Sequence, residues 1–280
     1  MTISIEERFA VHKNDYKNYD TSKLRENFLI ESVFKPNEIC LTYTHYDRII
    51  VGGIYPVDNV LHLESVDQLK SDAFLARREL AAINIGGEGI VTVDGEKYTI
   101  AAKEAIYIGK GAQQVSFASA TASDPAKFYM NSAPAHQQFP TKKVGKADAN
   151  VLSLGDATTC NERNIYQLVI GGVVETCQLQ MGMTELKPGS IWNTMPMHTH
   201  SRRMEAYFYF NLPEEHAVCH FMGPPEETRH IWVANEQAVV SPPWSMHSGV
   251  GTANYTFIWG MAGENLDYTD MDFHNPADLK

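Results

Sequence analysis

The sequence predicts an all-β protein built as two jelly-roll β-barrel halves, with a few short helices near the N-terminus. Three observations carry this. Short segments of alternating apolar and polar residues recur along the chain, separated by Gly, Pro, Asn and Asp. Helical periodicity is confined to the first residues. A local likeness between the halves, Arg77-Arg78-Glu79-Leu80 against Arg202-Arg203-Met204-Glu205, repeats at an offset of about 125 residues ahead of a strand set.

In chain order, the clearest early element is the hairpin Gly89 to Ile100. Its Asp94-Gly95 pair suits a type I′ turn because both central positions need positive φ. Ala105 to Ile108 and Val115 to Phe117 read as the next two strands, joined through Gly109-Lys110-Gly111. Residues from Ser132 to Asn150 are rich in Pro, Lys, Ala and polar side chains and read as the connection between halves. The boundary is placed there: residues 1–149 form a half without an H-x-H pattern, and residues 150–280 the half that holds one.

Composition narrows the function classes. At 280 residues and 44% hydrophobic content the chain can fill a sizeable core. A net charge of -11 argues against a nucleic-acid partner, because phosphate binding needs clustered Lys and Arg. No apolar run is long enough for a membrane span and the acidic start lacks a secretory pattern, so a cytoplasmic protein without a membrane partner is expected. The four scattered cysteines suggest neither a disulfide framework nor a thiolate metal site.

The chemistry concentrates between Gly189 and His247. His198 and His200, two apart on a strand, project to one face and can meet one ion. Glu205 has the opposite parity, so a turn through Ser201, Arg202 and Arg203 is needed before a new strand. That strand alternates Glu205, Tyr207 and Tyr209 against Ala206, Phe208 and Phe210. A Pro-rich stretch then leads to His247, with a glycine turn beyond it. With 11 His in the chain an H-x-H pair arises by chance roughly 0.4 times, so the pair alone is weak evidence. The acidic residue and third histidine make ordinary buried histidines the poorer explanation. Three imidazoles and a carboxylate fit zinc, iron, manganese or nickel.

The H-x-H-x4-E pattern of His198, His200 and Glu205 resembles the first cupin motif. Pro242, Trp244 and His247 resemble the second, with Trp244 where Gly is usual and Gly251 where Asn is usual. Nearly end to end, the chain is similar to the 5-keto-4-deoxyuronate isomerase family. The likeness is carried by Asp47 to Gly53, Arg77 to Leu80, Gly109 to Gly111, Pro134 to His136, Pro140 to Lys143, Trp192 to Pro196, Glu227 to Ile231 and His247 to Thr252. The resemblance implies one Zn2+ per chain on His198, His200, Glu205 and His247. It further implies ketol-isomerisation of 5-dehydro-4-deoxy-D-glucuronate to 3-deoxy-D-glycero-2,5-hexodiulosonate in pectin and uronate degradation, by a homohexamer.

Such a reaction needs a Lewis acid, a base and a cation for the carboxylate of a small sugar acid. Glu226, Glu227, Tyr207, Tyr209 and His230 are candidates for the base, and Arg203, Arg229 and Trp192 for substrate binding. Competing readings are a cupin dioxygenase with a redox metal at the same four residues, and a non-catalytic, metal-stabilised sugar-binding cupin.

Overall fold

The computed structural model describes residues 3–264 and 266–280. The chain forms two compact units. The first comprises Met1–Arg8, Ser32–Ala149 and Leu168–Met181, the second Phe9–Glu31, Asn150–Gln167 and Gly182–Lys280.

In the first unit a seven-stranded sheet runs in the order Ile3–Arg8, Ile39–Thr44, Ile50–Ile54, Phe128–Pro134, Arg78–Asn84, Ala105–Ile108 and Lys142–Val144. A four-stranded sheet runs Leu61–His62, Val115–Ser119, Gly89–Val93 and Glu96–Ile100. Apolar residues of both sheets, among them Leu41, Ile54, Val91, Phe117 and Phe128, share one buried cluster. The Phe117 and Phe128 rings meet edge to face with centroids 5.1 Å apart, the arrangement favoured by ring quadrupoles.

The second unit repeats the central strand order, but its edges differ: Ile3–Arg8 pairs parallel with its neighbour, whereas the corresponding Asn150–Leu154 pairs antiparallel. Its seven-stranded sheet runs Asn150–Leu154, Arg163–Val169, Gln180–Leu186, Thr256–Gly263, Arg203–Phe210, Gln237–Ser241 and Leu29–Ile30. Its four-stranded sheet runs Trp192–Asn193, Met246–Gly251, Val218–Gly223 and Arg229–Val233. The Arg78–Asn84 strand of the first unit therefore corresponds to Arg203–Phe210, which is the sequence likeness expressed as structure. By ladder register Leu80, opposite Ile108, stands where Glu205, opposite Ser241, stands in the second unit. The apolar residue removes the carboxylate from that position. Val115–Ser119, the counterpart of the His247 strand, holds no histidine.

The predicted hairpin forms as expected: Gly89–Val93 pairs with Glu96–Ile100, and Asp94 and Gly95 have φ of 46° and 91°. The helices Lys13–Tyr16 and Thr21–Phe28 are near the N-terminus, the second capped by Asp20, whose carboxylate accepts from Lys23 N at 2.8 Å. One expectation needs correction. Residues Ser132 to Asn150 are not only a connection, because Phe128–Pro134 continues into them and Lys142–Val144 pairs with Ala105–Ile108. This last strand closes a sheet edge, where charged residues such as Lys142 and Lys143 are accommodated in a way a central strand would not allow. Among the described residues, no helix is long and apolar enough to cross a membrane.

Candidate metal centre

His198 begins the short His198–Thr199 strand, which pairs with Asp272–Phe273. The chain turns through Ser201 and Arg202, and Arg203–Phe210 then starts a new strand with Glu205 at its third position. The turn resolves the parity conflict read from the sequence. His247 enters from Met246–Gly251, opposite Met222. All four side chains are buried, and their ligand atoms lie within 4.8 Å of one another.

Each imidazole is oriented from behind. His198 Nδ1 faces Pro196 O at 3.5 Å and His200 Nδ1 faces Asp270 O at 3.0 Å. A carbonyl oxygen only accepts, so both rings carry their proton on Nδ1 and offer the Nε2 lone pair inward. For His247 the partner is Ser241 Oγ at 3.4 Å, and that hydroxyl donates to Ser245 O at 3.5 Å. With its hydrogen so placed, Ser241 accepts from His247 Nδ1–H.

The result is a convergence of acceptors. His198 and His247 Nε2 are 3.2 Å apart, His200 Nε2 is 2.8 Å from Glu205 Oε1, and His247 Nε2 is 3.4 Å from Glu205 Oε2. Lone pairs aimed at one another in a buried site repel unless a cation or protons stand between them. A tetrahedral zinc site with metal–ligand bonds near 2.0–2.1 Å has ligand–ligand edges of about 3.3 Å. Three of the separations, from 2.8 to 3.4 Å, lie near that edge length, and the set of three imidazoles and one carboxylate fits the chemistry of such an ion.

Electrostatics act in the same sense for three of the four residues. Burial pushes the His198 pKa down to about 4 and that of His247 well below the ordinary imidazole value. For Glu205 burial works against ionisation, but the His247 and His200 imidazoles, helped by Arg203, hold its carboxyl well below the usual range. His200 shifts upward, because the adjacent Glu205 outweighs its burial. Neutral imidazoles and an ionised carboxylate are the forms that bind metal.

The cluster opens into a cavity of about 240 Å³ in the second unit. Its wall includes His198, Glu205, Tyr207, Arg163, Thr194, Trp259 and Tyr268 among apolar residues such as Leu152, Ile165 and Phe257. Of the five base candidates, Tyr207 alone lies on this wall. Its Oη is 3.3 Å from Thr194 Oγ1 and its ring is 5.0 Å from that of His247. Burial, reinforced by Glu205, pushes the Tyr207 pKa well up. Tyr209 sits deeper, its Oη 2.7 Å from His220 Nδ1. Glu226 and His230 are exposed, and Glu227 pairs with Arg229 at 2.6 Å.

Arg229 also donates to Lys17 O and Thr228 O, so its guanidinium faces the N-terminal helices. The Arg203 guanidinium is held by Asp270 at 2.9 Å and by the carbonyls of Asp267 and Tyr268. It fixes the loop that presents Asp270 O to His200, and stands outside the cavity wall. Trp192 stacks on Phe221, also off that wall. Trp244 packs against Tyr16 and Phe28, leaving Trp259 as the tryptophan beside the cluster. Sequence reasoning missed Arg163, Tyr268 and Asp270. They follow no motif: sheet order brings Arg163 to the wall, and the loop after Thr256–Gly263 carries Tyr268 and Asp270.

Fold and site together define a cupin with a buried three-histidine, one-glutamate cluster able to hold a metal ion. The chain belongs to the KduI/IolB family, whose model matches residues 29–279. A protein of Formosa agariphila named 4-deoxy-L-threo-5-hexosulose-uronate ketol-isomerase is 58% identical over 280 residues, with 100% of both chains covered. Among solved structures, an IolB-like protein from Salmonella typhimurium LT2 aligns with TM-score 0.73 at 13% identity, covering 89% of this chain and 97% of that one. Oxalate decarboxylase from Lactobacillus farciminis aligns with TM-score 0.55 at 12% identity, covering 80% and 79%. These two likenesses bear on the fold.

Proposed function

We propose that this protein is a zinc-dependent ketol-isomerase that converts 5-dehydro-4-deoxy-D-glucuronate to 3-deoxy-D-glycero-2,5-hexodiulosonate. The observation that carries the reading is the convergence of the His198, His200 and His247 Nε2 atoms with Glu205 at the inner end of a cavity. The end-to-end identity to proteins named for this reaction supports it. A divalent ion held by the four residues would supply Lewis-acid polarisation of the substrate carbonyl.

The chain's own side chains have separable tasks. Glu205, ionised, balances the charge of a cation in a site closed to water. Tyr207, kept protonated, holds its proton at Oη beside Thr194 and is placed to donate a hydrogen bond to the substrate oxygen on which charge develops. The apolar wall around Phe257 and Met261 excludes water and strengthens both interactions. A first half devoted to packing or assembly, a homohexameric state and a cytoplasmic location are part of the same proposal.

The test joins elemental analysis to an assay of the uronate product, with and without chelator. Zinc at about one per chain and chelator-sensitive conversion are the expected results. Full turnover in rigorously metal-free protein would overturn the reading. Oxygen consumption with an iron-loaded protein and no isomerisation would replace it with the dioxygenase.

A further inference from the structure

Among the described residues three arginines are buried, and two of them are held by the chain on several sides. Arg203 pairs with Asp270, and Arg78 donates to Arg48 O, Ser132 Oγ and Ser132 O. Arg163 differs. It is 8% exposed, its Nη1 donates to Asn161 O at 2.8 Å, and no carboxylate lies within ion-pair distance among the described residues. The Tyr268, Tyr207 and Tyr255 phenols are its nearest titratable neighbours, and burial keeps all three protonated and neutral. Burial pushes its pKa down, yet a guanidinium remains cationic at neutral pH.

A buried cation without a counter-charge is costly, and most of its five donors remain available. On the same wall, Trp259 Nε1–H is buried and meets no acceptor among the described residues. Both residues line the cavity that ends at His198 and Glu205. The volume, about 240 Å³, lies near the lower end of ligand pockets, which begin at roughly 300 Å³. That size suits a single sugar unit.

We propose that Arg163 is the specificity-determining anchor for the carboxylate of a monosaccharide-sized acid. The carboxylate sits at the Arg163 end, and the carbonyl end points to the cluster. The orientation rests on the isomerase reading, whereas the requirement for an anion does not. A planar guanidinium offers two parallel hydrogen bonds that an ammonium cannot match, so the site selects acids by geometry as well as charge.

The test measures binding by calorimetry in the zinc-loaded protein, with D-galacturonate as the charged probe and D-galactose as its neutral counterpart. The wild type should prefer the acid, and R163Q should lose that preference by roughly 10- to 100-fold with metal content unchanged. R163K keeps the charge but not the fork. It should lose about 10-fold, and it decides the matter if R163Q does not fold. On the uronate, R163Q should raise KM more than it lowers kcat. Retained acid preference in R163Q, unchanged affinity in R163K, or no preference in the wild type would each overturn the assignment. Arg163-dependent acid binding without isomerisation would leave the anchor standing and remove the reaction.

Discussion

At His247 the tautomer depends on a single hydroxyl. Ser241 Oγ accepts from Nδ1–H at 3.4 Å while its own hydrogen goes to Ser245 O. Replacing Ser241 by Ala leaves the ring free to rotate and to exchange tautomers, so metal affinity should fall about 10-fold. Competition against a chromophoric chelator would measure this, and an unchanged affinity would remove Ser241 from the site. Of the site's residues, the four convergent ones were legible in the sequence. His198 and His200 are an i, i+2 pair, Glu205 follows one turn later, and His247 sits in a Pro/Gly-bounded strand. Arg163 was not legible, since its neighbours Glu162 and Asn164 carry no pattern. It comes near Glu205 only because its strand is separated from Arg203–Phe210 by two strands in the sheet order.

Among elements, the Asp94-Gly95 turn was readable because turn chemistry is local. Gly95 has φ of 91° and a Cβ there would meet nothing within 4 Å. Gly95→Ala should therefore cost only the left-handed backbone penalty, about 1 kcal/mol, as measured by urea unfolding. A loss several times larger would mean that the turn is held by contacts absent from this structure. Glu79 is the opposite case. Its carboxylate is fully buried and accepts from Cys177 N, Gln178 N, Leu179 N and Tyr107 Oη at 2.8–2.9 Å. Nothing in the sequence joins Glu79 to residues 177–179, because that contact closes over about 100 positions. Glu79→Ala orphans the N–H groups of buried Cys177 and Leu179 and of part-buried Gln178 and should destabilise by about 3–5 kcal/mol. The same urea titration reads it, and a loss under about 1 kcal/mol would show that water replaces the carboxylate.

For the whole molecule, stability is linked to protons and to metal. In metal-free protein His198 and His220 are pushed down to about 4 and about 3, and His247 is pushed down as well, all by burial first. The unfolded chain takes up their protons near the ordinary value of about 6.5. Their contribution is therefore complete above that pH and is lost as pH falls toward the folded values, by up to roughly 1.4 kcal/mol per pH unit for each group. Glu205, depressed, adds a loss in the same direction at lower pH, while His200, raised, acts oppositely as pH rises. The melting temperature of chelated protein should fall on acidification from pH 7 to 5, and a flat profile would contradict buried neutral imidazoles. Zinc at 100 times its dissociation constant should restore about 2.7 kcal/mol, visible as a rise of several degrees that chelator reverses. No metal-dependent rise would mean that the cluster is not a metal site.

Strand alternation, the early turn, the spacing of His198, His200, Glu205 and His247 and the family were readable from the residues alone, because alternation, turn chemistry and short-range spacing are properties of neighbouring residues. Tertiary structure decided the rest. It set which of several similar tyrosines and arginines faces the cavity, that Arg203 holds a loop while Arg163 stands without a counter-charge, and that Leu80 occupies in one unit the place of Glu205 in the other. Those outcomes depend on sheet order and ladder register, which bring together residues far apart in the chain. No local pattern records such long-range pairing.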